Sequence, residues 1–494
     1  MNLKTIAFLS LVLAAISSSC VNPEKGETLA RQQCSACHLF PDPALLDKKT
    51  WEKSVFPEMA FRMGLNMSKL PGTNASELEE ILKALPSGPL LSQEDWESIQ
   101  HYYLRTAPDT LEIIPENQPF PLHQFQASAL RLNIRAKSKL TMLKTDPATK
   151  KIFVGTREGK LYLLKNNLVP EDSFPLGSPP SSIIFSHTGN AFVSCMGIMD
   201  PNDQPAGAVL ELNSADKNLW LRMDSLKRPV DIQQGDLNND GQEDLVVSAF
   251  GNFTGALLAF EKTGNEYRQH TIHSFPGTRK TILGDFNNDG LTDILALIAQ
   301  GDERIALFTN RGNFRFSYQV LLKFPPVYGS SYMEIGDFNG DGKQDILYTN
   351  GDNADYSAIL KPYHGVRLFL NDGKNHFTES WFFPMHGASM ARSFDFDEDG
   401  DLDIAAISFF PDFKNHPENS FIYLQNDRGK FTAFKTPLAA SSRWITLESA
   451  DIDEDGDADL LLGALAFPAG VPDSLFAVWG KNQNSLLVLR NTLR

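Results

Sequence analysis

The sequence predicts a multidomain protein, in which a small all-α domain precedes an all-β seven-bladed β-propeller. The chain has 494 residues, which is more than a single hydrophobic core usually organises. Its first quarter contains helical patterns, whereas five copies of an Asp-rich loop, each followed by an apolar strand, occupy the second half. We therefore expect the helical domain at residues 20–110, a linker with a candidate ring-closing strand at 111–135, and the propeller at 136–494.

The composition excludes several classes of protein and partner. Hydrophobic residues make up 42% and charged residues 21% of the chain, which excludes a disordered or collagen-like chain. Lys and Arg number 45 against 61 Asp and Glu, so the formal net charge is −16. Nucleic acids and anionic lipid headgroups need a basic face, so neither is an expected partner. The composition leaves the enzyme classes open.

Residues 1–19 have the pattern of an export signal. Lys4 precedes the apolar run Ile6–Ile16, which is too short to span a bilayer, and three serines then lead to Cys20. This end resembles a bacterial lipoprotein signal, which implies cleavage before Cys20, lipidation of that residue, and a membrane-anchored protein facing the periplasm or the cell surface. The alternative is an ordinary secretory signal in which Cys20 is incidental.

The other cysteines point to a covalent cofactor. Cys34 and Cys37 are followed at once by His38, and this Cys-x-x-Cys-His motif is the attachment signature of c-type haem. Cys34 and Cys37 would form the thioethers and His38 would be the proximal iron ligand. A thioredoxin-like pair needs a βαβ context and a structural zinc site needs a second Cys/His pair, and the sequence shows neither. Cys195 lies in an apolar stretch and is expected to be a buried small side chain, without disulfides.

Three helices are predicted around this motif. Residues 24–34 have helical composition, Thr50 is a candidate N-cap for a helix to about Arg62, and Ser92 opens a third helix with a capping box. The third helix carries three aromatic or aliphatic side chains on one face and stops before Pro108: Trp96, Ile99 and Tyr103.

A first helix leading into Cys-x-x-Cys-His and a C-terminal helix packed across it resemble a class I cytochrome c. This resemblance implies one covalent haem c, one-electron transfer, and a distal methionine ligand. Met59 is favoured because it falls on one helix face with Trp51 and Val55. The alternative is that Met59 only packs in the hydrophobic core and that Met63 or Met67 binds the iron.

The Asp-rich loop has the chemistry of a Ca²⁺ site. Its five copies start 49, 52, 58 and 56 residues apart, a period typical of repeated supersecondary units. Oxygen side chains stand at positions 1, 3, 5 and 9 and glycine at position 6, so up to five Ca²⁺ ions are expected as structural braces. The alternative is a hairpin without metal, in which the carboxylates would repel one another. The expected ligands are Asp236, Asn238, Asp240, Asp244, Asp285, Asn287, Asp289, Asp293, Asp337, Asn339, Asp341, Asp345, Asp395, Asp397, Asp399, Asp403, Asp451, Asp453, Asp455 and Asp459.

These loops connect strands rather than helices. An EF-hand needs Glu at position 12, where this chain has Val247, Ala296, Tyr348, Ala406 and Leu462. About four strands per repeat of ~50 residues is typical of a propeller blade. The pattern resembles the FG-GAP/VCBS repeats of integrin-α-like propellers. Residues 139–164 and 182–212 have strand patterns without the Asp loop, so two metal-free blades would complete a ring of seven.

The starts of the innermost strands suggest a binding funnel. Counting back from each Asp loop reaches Arg228, Arg279, His386 and Arg443, which suit an anionic or sugar-like ligand. The alternative is that these side chains are solvated or paired with neighbouring blades. The sequence shows no catalytic Ser/His/Asp elbow, zinc His cluster or phosphate loop.

The main functional prediction is an exported, lipid-anchored c-type cytochrome whose Ca²⁺-braced propeller docks a redox protein or binds a small-molecule ligand. One alternative is a propeller dehydrogenase that passes substrate electrons to its own haem. The other is an integrin-like binding or adhesion module with an accessory haem domain.

Overall fold

A computed structural model describes residues 23–65, 75–114, 118–135, 137–187, 189–351, 357 and 359–493. The predicted signal segment, Cys20 and Met67 lie outside these residues. The helices are α1 (Pro23–Cys34), α2 (Lys48–Thr50), α3 (Phe56–Arg62), α4 (Ala75–Ala84), α5 (Gln93–Thr106) and α6 (Asp473–Asn482). We call α1 to α5 and the described segments between them the helical unit. No described helix combines the length and apolarity that crossing a membrane would require.

Helices α1 and α5 cross at close range, and Gly26 permits it. A Cβ atom at this position would lie 2.4 Å from the backbone oxygen of Ser98 in α5, so any larger residue would push the helices apart. Ser92 caps α5 as predicted, with its hydroxyl oxygen accepting the Asp95 N–H at 3.1 Å. Trp96, Ile99 and Tyr103 are buried in the core of the helical unit.

The helix around Met59 begins earlier than predicted and is not a regular α-helix. Asp47, not Thr50, is the N-cap, because its side chain accepts the Thr50 N–H. A π-helical segment, Trp51–Val55, joins α2 to α3. Pro57 has no N–H to donate to the preceding turn, and the Phe56 N–H reaches back to the Trp51 carbonyl. The inserted residue shifts the buried face towards Phe56, Ala60 and Phe61, a change that α-helical spacing could not predict.

Twenty-nine strands follow along the described chain. The first fourteen are β1 (Phe120–Pro121), β2 (Phe125–Leu130), β3 (Leu140–Thr145), β4 (Ile152–Thr156), β5 (Lys160–Leu164), β6 (Pro170–Pro175), β7 (Pro180–Phe185), β8 (Ala191–Cys195), β9 (Gly207–Asn213), β10 (Asn218–Leu226), β11 (Pro229–Gly235), β12 (Asp244–Ala249), β13 (Ala256–Thr263) and β14 (Glu266–His273). The others are β15 (Thr278–Gly284), β16 (Asp293–Ile298), β17 (Arg304–Asn310), β18 (Phe316–Lys323), β19 (Ser330–Gly336), β20 (Asp345–Asn350), β21 (Gly365–Asn371), β22 (Phe377–Pro384), β23 (Ala388–Phe394), β24 (Asp403–Ser408), β25 (Phe421–Asp427), β26 (Lys430–Lys435), β27 (Trp444–Ala450), β28 (Asp459–Ala464) and β29 (Leu486–Asn491).

These strands form seven sheets, and the predicted seven-bladed β-propeller is confirmed. Blades 1 to 5 are the sheets β3–β6, β7–β10, β11–β14, β15–β18 and β19–β22, and blade 6 is β23–β26 with β1 added in parallel to β26. Blade 7 joins both ends of the ring, because β27, β28 and β29 are completed by β2 from before blade 1. The second strands are buried throughout, as in β12, β16 and β24, because adjacent blades cover both their faces.

Candidate functional site

A chamber of about 1150 Å³ lies where the innermost strands begin. Side chains from the starts of the inner strands line its propeller side, including Ser182, Arg228 and Arg279. Lys53, Ser54, Glu58 and Arg62 from the helical unit line its other side. The helical unit therefore covers the propeller funnel. The sequence predicted the funnel but not its cover.

Helix α4, which the sequence analysis did not predict, fixes this cover to blades 2 and 3. Glu77 of α4 accepts the Asp203 N–H at 2.8 Å, and Glu80 forms an ion pair with Lys227 at 2.8 Å. Phe61 packs edge-on against Phe253, with ring centroids 5.6 Å apart. This junction combines polar and apolar contacts. The directional hydrogen bond and ion pair fix the orientation of the helical unit on the propeller, and the ring contact packs the two parts closely together.

A second contact joins the helical unit to blade 5. The Tyr363 hydroxyl donates to the Leu45 carbonyl at 3.1 Å. Val327 and Tyr363 of the propeller belong to the same buried apolar cluster as Trp51 and Tyr103 of the helical unit. One hydrophobic core therefore extends across the two parts of the chain.

Asp203 is expected to be the most sensitive residue of this junction. Its side chain is 0% exposed, and its Oδ1 accepts the backbone N–H groups of Asn252, Phe253 and Thr254 at 3.0, 3.0 and 2.7 Å. We expect Asp203→Ala to lower the free energy of unfolding by about 3 kcal/mol or more, because one buried and two partly buried backbone donors lose their acceptor. Chemical denaturation measures this, with the exposed Asp224→Ala as control. A loss below about 1 kcal/mol would contradict it.

The predicted funnel residues divide into two pairs. Arg228 and Arg279 line the chamber, and their Nε atoms donate to the carbonyls of Met199 and Ser331 at 3.0 and 3.2 Å. His386 and Arg443 are buried, at 7% and 0% exposure, and neither lines the chamber. The four residues thus do not form one cluster.

A belt of charges around the funnel was missed by the sequence analysis. Glu448 accepts from Lys144 of blade 1 at 2.8 Å and from Arg392 of blade 6 at 2.6 Å, and Arg392 also reaches Glu334 of blade 5 at 2.5 Å. Another ion pair of this belt joins the Lys280 ammonium of blade 4 to the Asp231 carboxylate of blade 3 at 2.9 Å. The Lys144–Glu448 pair spans the seam between the first and last blades. A regular position in the sequence could have revealed this belt. The fifth residue of four inner strands is charged, and these residues are Lys144, Glu334, Arg392 and Glu448.

The Cys34-x-x-Cys37-His38 motif begins at the last residue of α1. Cys34 is the last residue of α1 and is half-buried, whereas Cys37 is exposed in the following turn. Burial raises the pKa of the Cys34 thiol to about 11. A reactive redox cysteine needs a lowered pKa, so this environment disfavours the thioredoxin-like alternative.

The His38 ring has a defined orientation. Its Nδ1 lies 2.8 Å from the Leu39 carbonyl oxygen, so Nδ1 carries the proton and Nε2 keeps its lone pair. Burial lowers the pKa of the ring, although the Asp302 carboxylate of blade 4 opposes this. A neutral imidazole with a backbone partner on one nitrogen is the form that binds iron. The donor set of Cys34, Cys37 and His38 therefore fits a covalent haem.

Two of the three methionine candidates are described. Met59 in α3 and Met63 just beyond it are both partly buried against the core of the helical unit. Packing alone does not distinguish them, since both belong to the same apolar cluster.

Each Asp loop joins the innermost strand of its blade to the second strand, in blades 3 to 7. The position 9 carboxylate is fully buried in all five loops and accepts two backbone N–H groups. One donor is position 2 of the same loop, and the other is on or beside the third strand. In blade 7, for example, Asp459 accepts from Ile452 at 2.9 Å and Asn491 at 2.8 Å. The position 9 carboxylate therefore links its loop to the third strand directly, a bracing role that the sequence analysis assigned to Ca²⁺ alone.

The loops of blades 6 and 7 gather carboxylates most closely. One oxygen from each of Asp395, Asp397 and Asp399 lies within 4.8 Å of the others, and the same holds for Asp451, Asp453 and Asp459. In blades 3 to 6 the first Asp also accepts the glycine N–H at position 6, at 2.7 to 3.0 Å. Oδ1 of Asp451 has no hydrogen-bond partner among the described residues. Hard oxygen ligands in this arrangement suit Ca²⁺.

The electrostatics of these loops favour a cation. Burial, with a smaller contribution from the neighbouring loop carboxylates, raises the pKa of Asp403 to about 7 and that of Asp459 to about 6. The Asp loops follow the inner strands, whereas the chamber lies where those strands begin. Ions in the loops would therefore brace the blades at the face opposite the chamber.

Comparisons with known proteins support the repeat assignment. A family model described as an FG-GAP-like repeat matches residues 236–296, 285–348 and 395–462. Integrin alpha-PS5 of Drosophila melanogaster is 28% identical over 174 residues, which cover 31% of this chain and 17% of that protein. Integrin alpha-11 of Homo sapiens is 27% identical over 300 residues, which cover 53% of this chain and 24% of that protein.

The chain thus spans less than a quarter of the length of either curated relative. A crystal structure of BBS1N in complex with ARL6DN aligns with 74% of this chain and 97% of its own, at 11% identity and a TM-score of 0.46. The chain carries FG-GAP-like repeats within a seven-bladed, integrin-α-like propeller.

Proposed function

We propose that this protein is a binding module of the integrin-α-like propeller type, whose ligand occupies the chamber beneath the helical unit. The observation that supports this is the chamber itself, which has about 1150 Å³ of space and is walled by both parts of the chain. Paired charges and apolar side chains both line its walls, a combination typical of small-molecule sites. This role is the integrin-like alternative of the sequence analysis rather than its main prediction.

Native mass spectrometry of the protein purified from its own membrane tests this proposal. Ser182 lines the chamber and is half-buried, so Ser182→Trp is expected to narrow the chamber and displace a retained ligand. Ser173 is exposed on β6, so Ser173→Trp is the matched control. We expect a bound mass in the wild type and the control that Ser182→Trp lacks. Identical spectra for all three proteins would contradict the proposal.

We further propose that the helical unit carries one covalent haem c and transfers single electrons. The supporting observation is the His38 orientation, in which the Nδ1–H contact to Leu39 leaves Nε2 for iron. Cys34 and Cys37 would hold the porphyrin. The close crossing of α1 and α5 at Gly26 agrees with a cytochrome-like helix arrangement. When bound, the haem supplies a one-electron redox centre.

Met59 is our proposed distal ligand, with Met63 and Met67 as the alternatives. The test compares Met59→Ala with Met63→Ala in the haem-loaded protein, since loss of a thioether ligand changes the reduction potential and the absorption of the oxidised iron. The variant that alone causes both changes identifies the ligand.

Export, lipidation of Cys20 and Ca²⁺ in the Asp loops complete the proposal. The anchor would place the propeller at a membrane facing the periplasm or the cell surface, where a redox protein or a small ligand could reach it. Metabolic labelling with a fatty acid, compared between wild type and Cys20→Ala, tests the anchor.

A further inference from the structure

A fully buried arginine lies behind the chamber wall in blade 7. Arg443 immediately precedes β27 and is 0% exposed. Its guanidinium carbon lies 4.0 to 5.2 Å from the centroids of four phenylalanine rings, which belong to Phe409, Phe410, Phe413 and Phe467. Cation–π contacts favour this arrangement, but they supply no hydrogen-bond acceptors.

The donors of Arg443 are mostly unused. Nη2 donates to the Ala469 carbonyl, whereas Nε and Nη1 have no hydrogen-bond partner among the residues that the structure describes. Those residues also provide no carboxylate within ion-pair distance of Arg443. Burial lowers the pKa of the guanidinium to about 9, so it remains a cation at neutral pH. Buried charges in folded proteins are normally paired, so a counter-anion is missing here.

Three other cations at the chamber each have a carboxylate partner. Arg392 is paired with Glu334 and Glu448, Lys280 with Asp231, and Arg157 with Asp200. Two hydroxyls just before Arg443, Ser441 Oγ and Ser442 Oγ, are likewise buried without hydrogen-bond partners in the described part of the chain. Four buried side-chain atoms without hydrogen-bond partners among the described residues thus belong to these three consecutive residues.

Three of the four rings around Arg443 also line the chamber. Phe409, Phe410 and Phe467 line the chamber and are half-buried, and the same three rings contact the guanidinium. A ligand that reaches Arg443 from the chamber must pass between these rings and leave part of itself among them. That part is most stable when it is apolar.

We propose that the chamber binds an organic monocarboxylate with an apolar body, whose carboxylate pairs with Arg443 and whose body packs among Phe409, Phe410 and Phe467. This inference rests on the proposed binding function and names its ligand class. One phenylalanine side chain must turn aside on binding, and Phe467 is the nearest at 4.0 Å. The donors of Arg443 that remain unused, on Nε and Nη1, suit one carboxylate group.

Calorimetric titration with benzoate as the probe tests the inference, and benzamide is its neutral analogue. We expect wild type to bind benzoate about tenfold or more tightly than benzamide, since only the anion supplies a charge-assisted hydrogen bond. Arg443→Met should remove this preference. Arg311 is exposed and outside the chamber, so Arg311→Met should keep it.

Equal affinity of wild type for the two probes would overturn the inference, whether or not Arg443→Met folds. Retention of the preference by a folded Arg443→Met protein would also overturn it. If benzoate does not bind but Ser182→Trp still displaces a retained mass, the ligand class is wrong and the binding function stands. If neither ligand nor probe is found in the chamber, both proposals fail.

Discussion

We expect EGTA to lower the melting temperature of this protein, and added Ca²⁺ to restore it. In blades 6 and 7, oxygens of three carboxylates lie within 4.8 Å of one another, and without a cation these charges repel. A ligand that binds only the folded state stabilises it by about 4 kcal/mol at ~1,000 times its Kd, and each occupied loop adds its own contribution. Differential scanning calorimetry in EGTA and in Ca²⁺ measures the difference.

The variant Asp451→Asn should shift the melting temperature differently in Ca²⁺ and in EGTA. In Ca²⁺ it should lower the melting temperature, because the ion loses a charged ligand. In EGTA it should leave the melting temperature unchanged or raise it, because one of three crowded carboxylates becomes neutral. Oδ1 of Asp451 accepts no hydrogen bond from the described residues, so the substitution removes little else.

Asp216→Asn is the control for both buffers, because Asp216 is exposed in blade 2, which has no Asp loop. It should leave both melting temperatures unchanged. A metal-free loop would respond to Asp451→Asn in the same direction with and without Ca²⁺. That result, or a protein insensitive to EGTA, would remove the structural ions from the proposal.

The propeller was predictable because its signals are local and repeated. Each Asp loop specifies its own turn and leads directly into an apolar strand, as Asp293 leads into β16. Seven blades followed from five such loops and two similar strand patterns upstream. The position 9 Asp was predicted as a metal ligand, but its second task, accepting an N–H beside the third strand, depends on a partner 17 to 32 residues away.

The covered chamber was not predictable for the opposite reason. The helical unit is held over the chamber by contacts such as that between Glu77 and Asp203. These residues are 126 positions apart and lie in segments without a shared motif. The lack of a carboxylate partner for Arg443 among the described residues was equally unpredictable, because it depends on where distant Asp and Glu side chains lie in the folded chain. The π-helical segment has one local cause in the sequence, because Pro57 has no N–H to complete the regular hydrogen-bond pattern of the helix.

Replacing both Cys34 and Cys37 with alanine should abolish covalent haem. The two thiols belong to the same motif as His38, and thioether bonds cannot form at this motif without them. The protein would be produced together with a cytochrome c maturation system, denatured, and measured by its alkaline pyridine spectrum. We expect a haem c spectrum from wild type and none from the double variant.

Cys195→Ala separates attachment at the motif from any general reaction of haem with protein thiols. Cys195 lies in β8 of the propeller at 1% exposure, and burial raises the pKa of its thiol to about 12, so it cannot offer a thiolate at neutral pH. This variant should therefore retain the wild-type spectrum. A colourless wild type would contradict the haem assignment, and colour persisting in the double variant would place the haem elsewhere. Neither result would affect the propeller, whose blades and Asp loops lie beyond the helical unit, so the electron-transfer and binding proposals can fail independently.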